Sequence, residues 1–362
     1  MIPRLALHNR EGGFSNRWRA YCEEHDIPYR LVDCLASDIL GQLAAVDGLL
    51  WHWVHQDARE QLVARHVIMA AEAMGLVVFP STPTCWHFDD KVAQKYLLEA
   101  VGAPLAPTRV FYERAAALAW IEGASFPQVF KLRKGAGSGN VRLVRNVREA
   151  RALVDRAFAE GFQPVPAYHQ DVRKRYRAAR QRGDLLGAVK RMPRTLINIR
   201  QLNRELGRET GYVYFQDFIA GATFDTRVTV IGDRAFAFTR NVRPGDFRAS
   251  GSGRISYDLE RINMQCVQIA FEVARKIGSQ SLAFDFVLLE GRTPLIVEVS
   301  YCYDPKAVYN CAGHWDRRLS WHEGHVWPQD AILADLLEQI TGSVQAVGPE
   351  GGRQRSSVAP PR

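Results

Sequence analysis

The sequence is poor in the features that mark several large protein classes. Its six cysteines (Cys22, Cys34, Cys85, Cys266, Cys302 and Cys311) are scattered, and no two form a C-x-x-C pair. Neither a disulfide framework nor a zinc finger of ordinary spacing is therefore written into it. No uninterrupted apolar run approaches the roughly 18 residues of a membrane helix. The start, MIPRLALHNR, breaks off before an apolar signal region can form. Reduced thiols, no membrane span and no leader point to a cytoplasmic protein. Two common phosphate-binding fingerprints are also missing: no lysine closes a glycine-rich loop as a Walker A motif requires, and no G-x-G-x-x-G follows a strand.

What is present begins with charge. The chain has 47 Lys and Arg against 39 Asp and Glu, a formal net charge of +8. Between His169 and Glu209 lie ten Arg and two Lys against two Asp and two Glu, so this one stretch carries the whole excess. Charge confined in this way implies a local anionic partner and argues against a protein that coats nucleic acid. A solvated basic face satisfies the same pattern. The cadence of Arg173, Lys174, Arg175, Arg177, Arg180 and Arg182 predicts helix, with several cations on neighbouring faces.

At 362 residues, 47% of them hydrophobic, the chain can bury a sizeable core in two or three units. Residues 1–84 alternate short apolar runs, at Arg4 to Leu7, Tyr29 to Val32, Gly48 to Trp51 and Leu76 to Phe79, with amphipathic stretches at Trp18 to Glu24 and Leu62 to Met74. This βαβαβαβ rhythm predicts a small open parallel sheet. Residues 85–341 mix strands and helices in an α+β pattern: a helix from Asp89 to Val101, strands near Thr108, Tyr212, Thr226, Ala235, Leu282 and Leu295, and a long helix from Leu259 to Lys276. The basic segment, about 164–210, interrupts this series and reads as a mainly helical insertion. Residues 342–362, rich in Gly, Ser, Pro and Arg, read as a disordered tail.

The stretch VFKLRKGAGSGNV places Lys131 at the end of an apolar run, with Gly135, Ala136, Gly137, Ser138 and Gly139 after it. The alternating Val141 to Arg145 follows, so the glycines join two strands of a hairpin. A glycine flap of this kind can close over a phosphate chain while a lysine on the rigid strand supplies charge. An ordinary glycine-rich turn fits as well. Farther on, Asp285 and Glu298 sit inside apolar β runs, where a carboxylate needs a cation. Carried on adjacent strands, they can point the same way and hold Mg²⁺ through oxygen; two structural ion pairs would also satisfy them.

Taken in order, these pieces resemble the ATP-grasp superfamily, and in particular the branch of the ribosomal-protein glutamate ligase and the D-alanine:D-alanine ligases. The matching residues are Asp90-Lys91; Phe130-Lys131 before Gly135 to Gly139; Gln216-Asp217-Phe218-Ile219; Asp225-Thr226-Arg227-Val228; Arg240 with Asp246-Phe247-Arg248; and Asp285 with Glu298-Val299-Ser300. They span roughly residues 85 to 305. The resemblance implies a pre-ATP-grasp domain followed by two subdomains that clasp ATP. Lys91 and Lys131 would contact phosphates beneath the flap, and Gln216 to Ile219 would read adenine. Asp285, Glu298 and Ser300 would hold Mg²⁺, although the family usually has asparagine where Ser300 stands and more often glutamate where Asp217 stands. Arg248 would face the reacting phosphoryl group, and Arg240 or Arg243 the substrate carboxylate.

The implied activity is a ligase that activates a small-molecule carboxylate as an acyl phosphate and joins it to an amine. One of the two substrates would be anionic and contact the basic insertion, and a homodimer is left open. A non-catalytic ATP-binding regulator and a small-molecule kinase of the same fold are the rivals. His322-Glu323-Gly324-His325 imitates a zinc-protease motif but has the wrong spacing; Tyr301 to Trp327 reads instead as an aromatic loop that shapes the substrate pocket.

Overall fold

The structure, a computed structural model, describes residues 3–10, 12–55, 57–135, 140–164, 207–243, 246–249 and 253–346. The flap residues Ala136 to Gly139, the body of the expected insertion at 165–206, and the tail from 347 onward lie outside the described residues.

The first unit alternates β1 (Leu5–His8), α1 (Phe14–Glu24), β2 (Tyr29–Val32), α2 (Ile39–Leu43), β3 (Gly48–Leu50), α3 (Ala58–Ala73) and β4 (Val77–Phe79). All pairings are parallel, in the order β2-β1-β3-β4. A parallel sheet covered on both faces needs unbroken apolar strands, and Leu5, Ala6, Leu7, Leu49 and Leu50 are indeed wholly buried. The expected open parallel sheet is present.

Two short helices follow, α4 (Thr82–Cys85) and α5 (Lys91–Ala100), then β5 (Thr108–Phe111), α6 (Arg114–Gly123), β6 (Gln128–Lys131), β7 (Val141–Val144), α7 (Val147–Phe158) and β8 (Val213–Asp217). Asp90 starts α5 by accepting from the Val92 and Ala93 amides, an N-cap that satisfies donors with no partner in the helix. The strands form an antiparallel sheet, β5-β8-β6-β7, with Lys131 opposite Val141 across the expected hairpin. Its core is separate and small: Phe130, Phe215, Ala117, Ile121, Ala150 and Val154 between the sheet and the α6 and α7 helices.

The last unit contains β9 (Phe224–Ile231), β10 (Arg234–Asn241), β11 (Ile255–Ser256), α8 (Met264–Ile277), β12 (Ser281–Leu289), β13 (Thr293–Ser300), α9 (Pro305–Tyr309), β14 (Gly313–Trp315), β15 (Trp321–Glu323) and α10 (Pro328–Ala346). The strands make a seven-stranded antiparallel sheet, β13-β12-β9-β10-β14-β15, with β11 on β10. The long helix expected from Leu259 starts later: a single 3₁₀ turn at Leu259–Arg261 precedes α8, whose N-cap Asn263 accepts from the Gln265 amide. Asn263 offers the backbone a cap where helix continuity would need a good helix former.

This large sheet and the first sheet share one core, in which Val228, Phe236, Phe284 and Ile332 join Leu5, Trp18, Trp51 and Phe79. The final helix closes it from behind. Trp18 is fully buried, and its indole N–H donates to the Gln329 carbonyl at 2.9 Å, while Arg17 forks onto Asp330. Gly48 is a glycine because a β-carbon there would lie 2.9 Å from the Ile340 side chain. Between the two cores the chain crosses at Leu105, where the Ala106 amide donates to the Ile296 carbonyl and the Ile296 amide donates to the Pro104 carbonyl. A cleft opens there. No described helix is long and apolar enough to cross a membrane.

Candidate active site

The cleft has a floor from the large sheet and a roof from the small one. Val129, Lys131 and Val141 come from the roof hairpin, and Val287, Val297, Asp285 and Glu298 from the floor; Gln216 to Ile219 form the rear edge, and Phe247 and Arg248 the side. Apolar walls with a few convergent charged groups are the usual form of a small-molecule site.

Two lysines enter from different elements. Lys131, at the end of β6, is buried, and its ammonium donates to the Val297 carbonyl of the floor at 3.1 Å. Burial pulls its pKa down to about 8 against the raising influence of Glu298. Lys91, the first residue of α5, is buried as well and reaches both the Gly135 carbonyl, at 2.7 Å, and Glu298, at 3.4 Å. The near side of the glycine flap is thus clamped. The Gly135 amide donates to Asp89 at 3.0 Å, and Asp89, itself at φ 54°, has its carboxyl pushed up to about 6 by burial. On the far side Asn140 donates to the Lys134 carbonyl at 3.0 Å. Gly135 has φ 110°, and a β-carbon there would run into the Asn140 amide, so the hinge of the flap accepts only glycine without strain. Asp89 is a residue that sequence reasoning passed over; only its place directly before the Asp90 cap marked it.

Asp285 and Glu298 stand directly opposite each other on β12 and β13, so both carboxylates share a face. Their partners differ. Asp285 is buried and takes a forked pair of bonds from Arg227, at 2.7 and 2.8 Å, and a further contact from Arg240 at 2.7 Å. Burial alone would raise its pKa, but Arg227 and then Arg240 outweigh it and hold the carboxyl well below the usual range. Arg240 also forks onto Asp225 at 2.8 and 2.6 Å. Glu298 is one-third exposed and meets Lys91. Ser300, two residues on and on the same face, donates its hydroxyl hydrogen to the Cys302 carbonyl and accepts from the Cys302 amide.

The four arginines therefore divide. Arg227 and Arg240 lie in the buried network. Arg243 and Arg248 share Asp246 at the rim, Arg248 with forked bonds of 2.8 and 2.7 Å and Arg243 at 4.0 Å. Phe247 between them packs edge-on against Phe218. Gln216 and Asp217 end strand β8, and their side chains are engaged: Gln216 donates to the Thr108 hydroxyl, and Asp217 receives Arg109 and Gln128. Phe218 and Ile219 complete the wall beside them. Lys131, Gln216 to Ile219, Arg248, Asp285 and Glu298 line one space. Lys91 touches it through Glu298, and Ser300 ends the same strand, while Arg240 stands behind Asp285.

No protein-family model and no curated protein sequence matches the chain. Solved structures do. A RimK-domain ATP-grasp protein from Sphaerobacter thermophilus superposes with a TM-score of 0.54 at 18% identity, over 92% of this chain and 98% of that one. D-alanine–D-alanine ligase from Bacillus anthracis gives 0.54 at 12% identity over 95% and 99%. The biotin carboxylase domain of the Hydrogenobacter thermophilus 2-oxoglutarate carboxylase, solved with MgADP and bicarbonate, gives 0.56 at 12% over 94% and 70%. The chain has the ATP-grasp fold. The resemblance carried by short motifs in the sequence is one of architecture too.

Within the ATP-grasp frame the aromatic segment from Tyr301 departs from expectation. Tyr301 and Tyr303 are buried, packed on Phe14 and Trp53 of the first unit and on Phe88 after α4, and the segment then builds the β14–β15 edge of the sheet. His322, in strand β15, faces Asp316 at 3.0 Å, and His325 faces the Tyr309 carbonyl. Among the described residues no group of three His, Cys, Asp or Glu could hold a metal ion.

Proposed function

We propose that the protein is an ATP- and Mg²⁺-dependent ligase that activates a carboxylate as an acyl phosphate and joins it to an amine, with release of ADP and phosphate. The observation that carries this reading is the convergence of Lys91 from α5 and Lys131 from the roof strand β6 on the Glu298 and Val297 pair of the floor, beneath a clamped glycine hinge. Such a chamber suits phosphoryl transfer, which depends on positioning and on charge neutralisation more than on a covalent relay.

The donor set suits a hard cation. Asp285 and Glu298 offer oxygen from facing positions, and an ionised carboxylate has about four lone-pair sites, of which three on Asp285 are taken by arginine. One remains, and Glu298 is open to solvent on one side; these two, with Ser300, would hold Mg²⁺. The metal would neutralise charge on the transferring phosphoryl. Lys131 and Lys91 bind and orient the phosphates, the flap excludes water, and the apolar rear wall with the Gln216 to Ile219 edge seats the adenine. Arg248 stabilises the reacting phosphoryl oxygens from the rim. Arg243 remains a partner for the substrate carboxylate, whereas Arg240 acts by fixing Asp285.

The test is release of ADP and phosphate against pooled carboxylates and amines, with the product identified by mass. Phosphate retained on the product would make the protein a kinase. Nucleotide binding without any release would favour a non-catalytic ATP-binding regulator, a reading that draws on Ser300, whose hydroxyl is committed to the Cys302 backbone.

A further inference from the structure

Among the described residues only three Phe, Tyr or Trp side chains are exposed, Trp86, Tyr96 and Tyr112. All three line one cavity of about 540 Å³. Trp86 follows α4, Tyr96 lies on α5 one turn after Val92, and Tyr112 follows β5, with the Tyr112 and Tyr96 hydroxyls 3.2 Å apart. Exposed apolar surface gathered in this way marks a binding surface. The cavity shares no lining residue with the ATP-grasp cleft. Helix α5 serves both: Lys91 reaches Gly135 and Glu298 on the cleft side, whereas Tyr96 lines the cavity.

The polar part of the wall is built around Arg133. Its guanidinium meets the buried Glu209 at 3.4 Å and Asp90 at 3.5 Å. Glu209 also accepts from the Tyr212 hydroxyl at 2.8 Å, and that hydroxyl oxygen accepts from the Arg133 amide at 2.6 Å. Both acids of the wall are thereby spent. Arg208 beside them gives Nε and Nη2 to the Glu160 and Gly161 carbonyls. Nη2 of Arg133 and Nη1 of Arg208 make no hydrogen bond among the described residues. The sequence from His169 to Glu209, which carries the whole positive excess of the chain, ends on this wall. The field here is positive.

These features select a ligand. A cation would face Arg133, Arg208 and the Lys95 ammonium, which stands 4.2 Å over the Tyr96 ring. An uncharged ring would leave the arginine donors idle. A flat ring that carries a phosphate uses both halves of the wall, since bases stack on exposed aromatic side chains and guanidinium forks match phosphate oxygens. We propose that this cavity binds a nucleotide unit, separately from the ATP-grasp cleft, with its base against Trp86, Tyr96 and Tyr112 and its phosphate at Arg133 and Arg208. The unit comes from a free or nucleotide-linked small molecule or from a single-stranded nucleic acid, and the recognition chemistry is the same. The ligase reading is not needed for it.

The experiment titrates the full chain, in excess MgADP to occupy the cleft, with UMP, a thymidine hexanucleotide and ribose 5-phosphate in turn, read by calorimetry. UMP or the hexanucleotide is expected to saturate, and ribose 5-phosphate, which has no base, to bind at least about tenfold more weakly. Trp86→Ala and Tyr112→Ala should each weaken binding about tenfold, and Arg208→Gln should weaken it and flatten its salt dependence. ADP affinity should match the wild type in all three. Thermal melts guard against misfolding, and Tyr112, 55% exposed, keeps the test readable should Trp86→Ala unfold. Saturation by UMP assigns a free or nucleotide-linked compound; saturation by the hexanucleotide alone assigns a single strand. The proposal is overturned if neither saturates, if ribose 5-phosphate binds as tightly as UMP, or if the folded aromatic variants bind like the wild type. Failure of ADP to bind would count against the ligase reading alone, because the variants locate the second ligand by themselves.

Discussion

Arg227 and Arg240 on one side, and Arg243 and Arg248 on the other, come from a stretch of 22 residues and look alike in the sequence, yet the fold gives them opposite work. The first pair is tied into Asp225 and Asp285, where every charge has a partner and only Arg227 keeps some contact with water. The second pair meets Asp246 at the cleft rim, with Arg248 about one-third exposed. Buried pairs are weak sources of net stability, but breaking one strands its partner. Removing a rim arginine, still partly hydrated, costs little stability. The comparison teaches that the role of an arginine follows from how much water it has lost.

Removal of Arg240 should have the largest effect. Arg240→Met leaves Asp225 and Asp285 buried with too little positive charge, a loss of about 3–5 kcal/mol, which corresponds to a fall of roughly 10 °C in Tm for a chain of this size. Arg248→Met should stay within about 1 kcal/mol of the wild type. Equal melting temperatures for the two variants would break the comparison.

Lys131 sharpens it from the other direction, as the buried cation proposed to meet the nucleotide phosphates. Lys131→Met should lower nucleotide affinity by up to about 4 kcal/mol, the value of one charge contact near 4 Å at an effective dielectric of 20, while leaving the ligand-free protein as stable or more so. The sign follows from linkage. The folded pKa of about 8 lies below the ordinary lysine value, so the cost of burying the charge is fully present below pH 8 and is relieved as pH rises beyond it. A ligand-free variant that melts well below the wild type would make Lys131 a structural residue.

Arg248→Met, nearly silent in stability, should reduce turnover by roughly 10²- to 10³-fold, as expected when one donor to developing charge is lost. Near-normal turnover would move Arg248 to the structural group with Arg240. The smallest effect concerns pH. Phosphates beside Lys131 favour its charged form, so nucleotide binding near pH 8 should take up about half a proton, and affinity should fall by less than about tenfold between pH 7 and 9. Calorimetry in two buffers of different ionisation enthalpy reads the uptake directly; identical heats would place the phosphates away from Lys131.

Much of the architecture was legible in the chain. Four apolar runs at the spacing of βαβ units became the parallel sheet, and the alternation on either side of Gly135 to Gly139 became the β6–β7 hairpin. The facing of Asp285 and Glu298 followed from two strands and a short turn. The late start of α8 was not legible, because the apolar period runs smoothly from Leu259 and only the Asn263 cap breaks it. The segment Tyr301 to Trp327 reads as a loop by composition, and the helix at Pro305–Tyr309 and the two short strands within it were not legible.

The sequence by itself determined the order of strands and helices, the cap at Asp90, the glycine hinge and the face shared by Asp285 and Glu298. Each of these depends on residues within one element or one hairpin, within reach of backbone geometry and side-chain period. Only the tertiary structure decided that Arg240 would spend its charge on Asp225 and Asp285, that Lys91 would meet Glu298, and that Arg133 would meet Glu209. Those pairings join residues far apart in the chain, and their strength depends on how much water the surrounding packing removes, which no local pattern records.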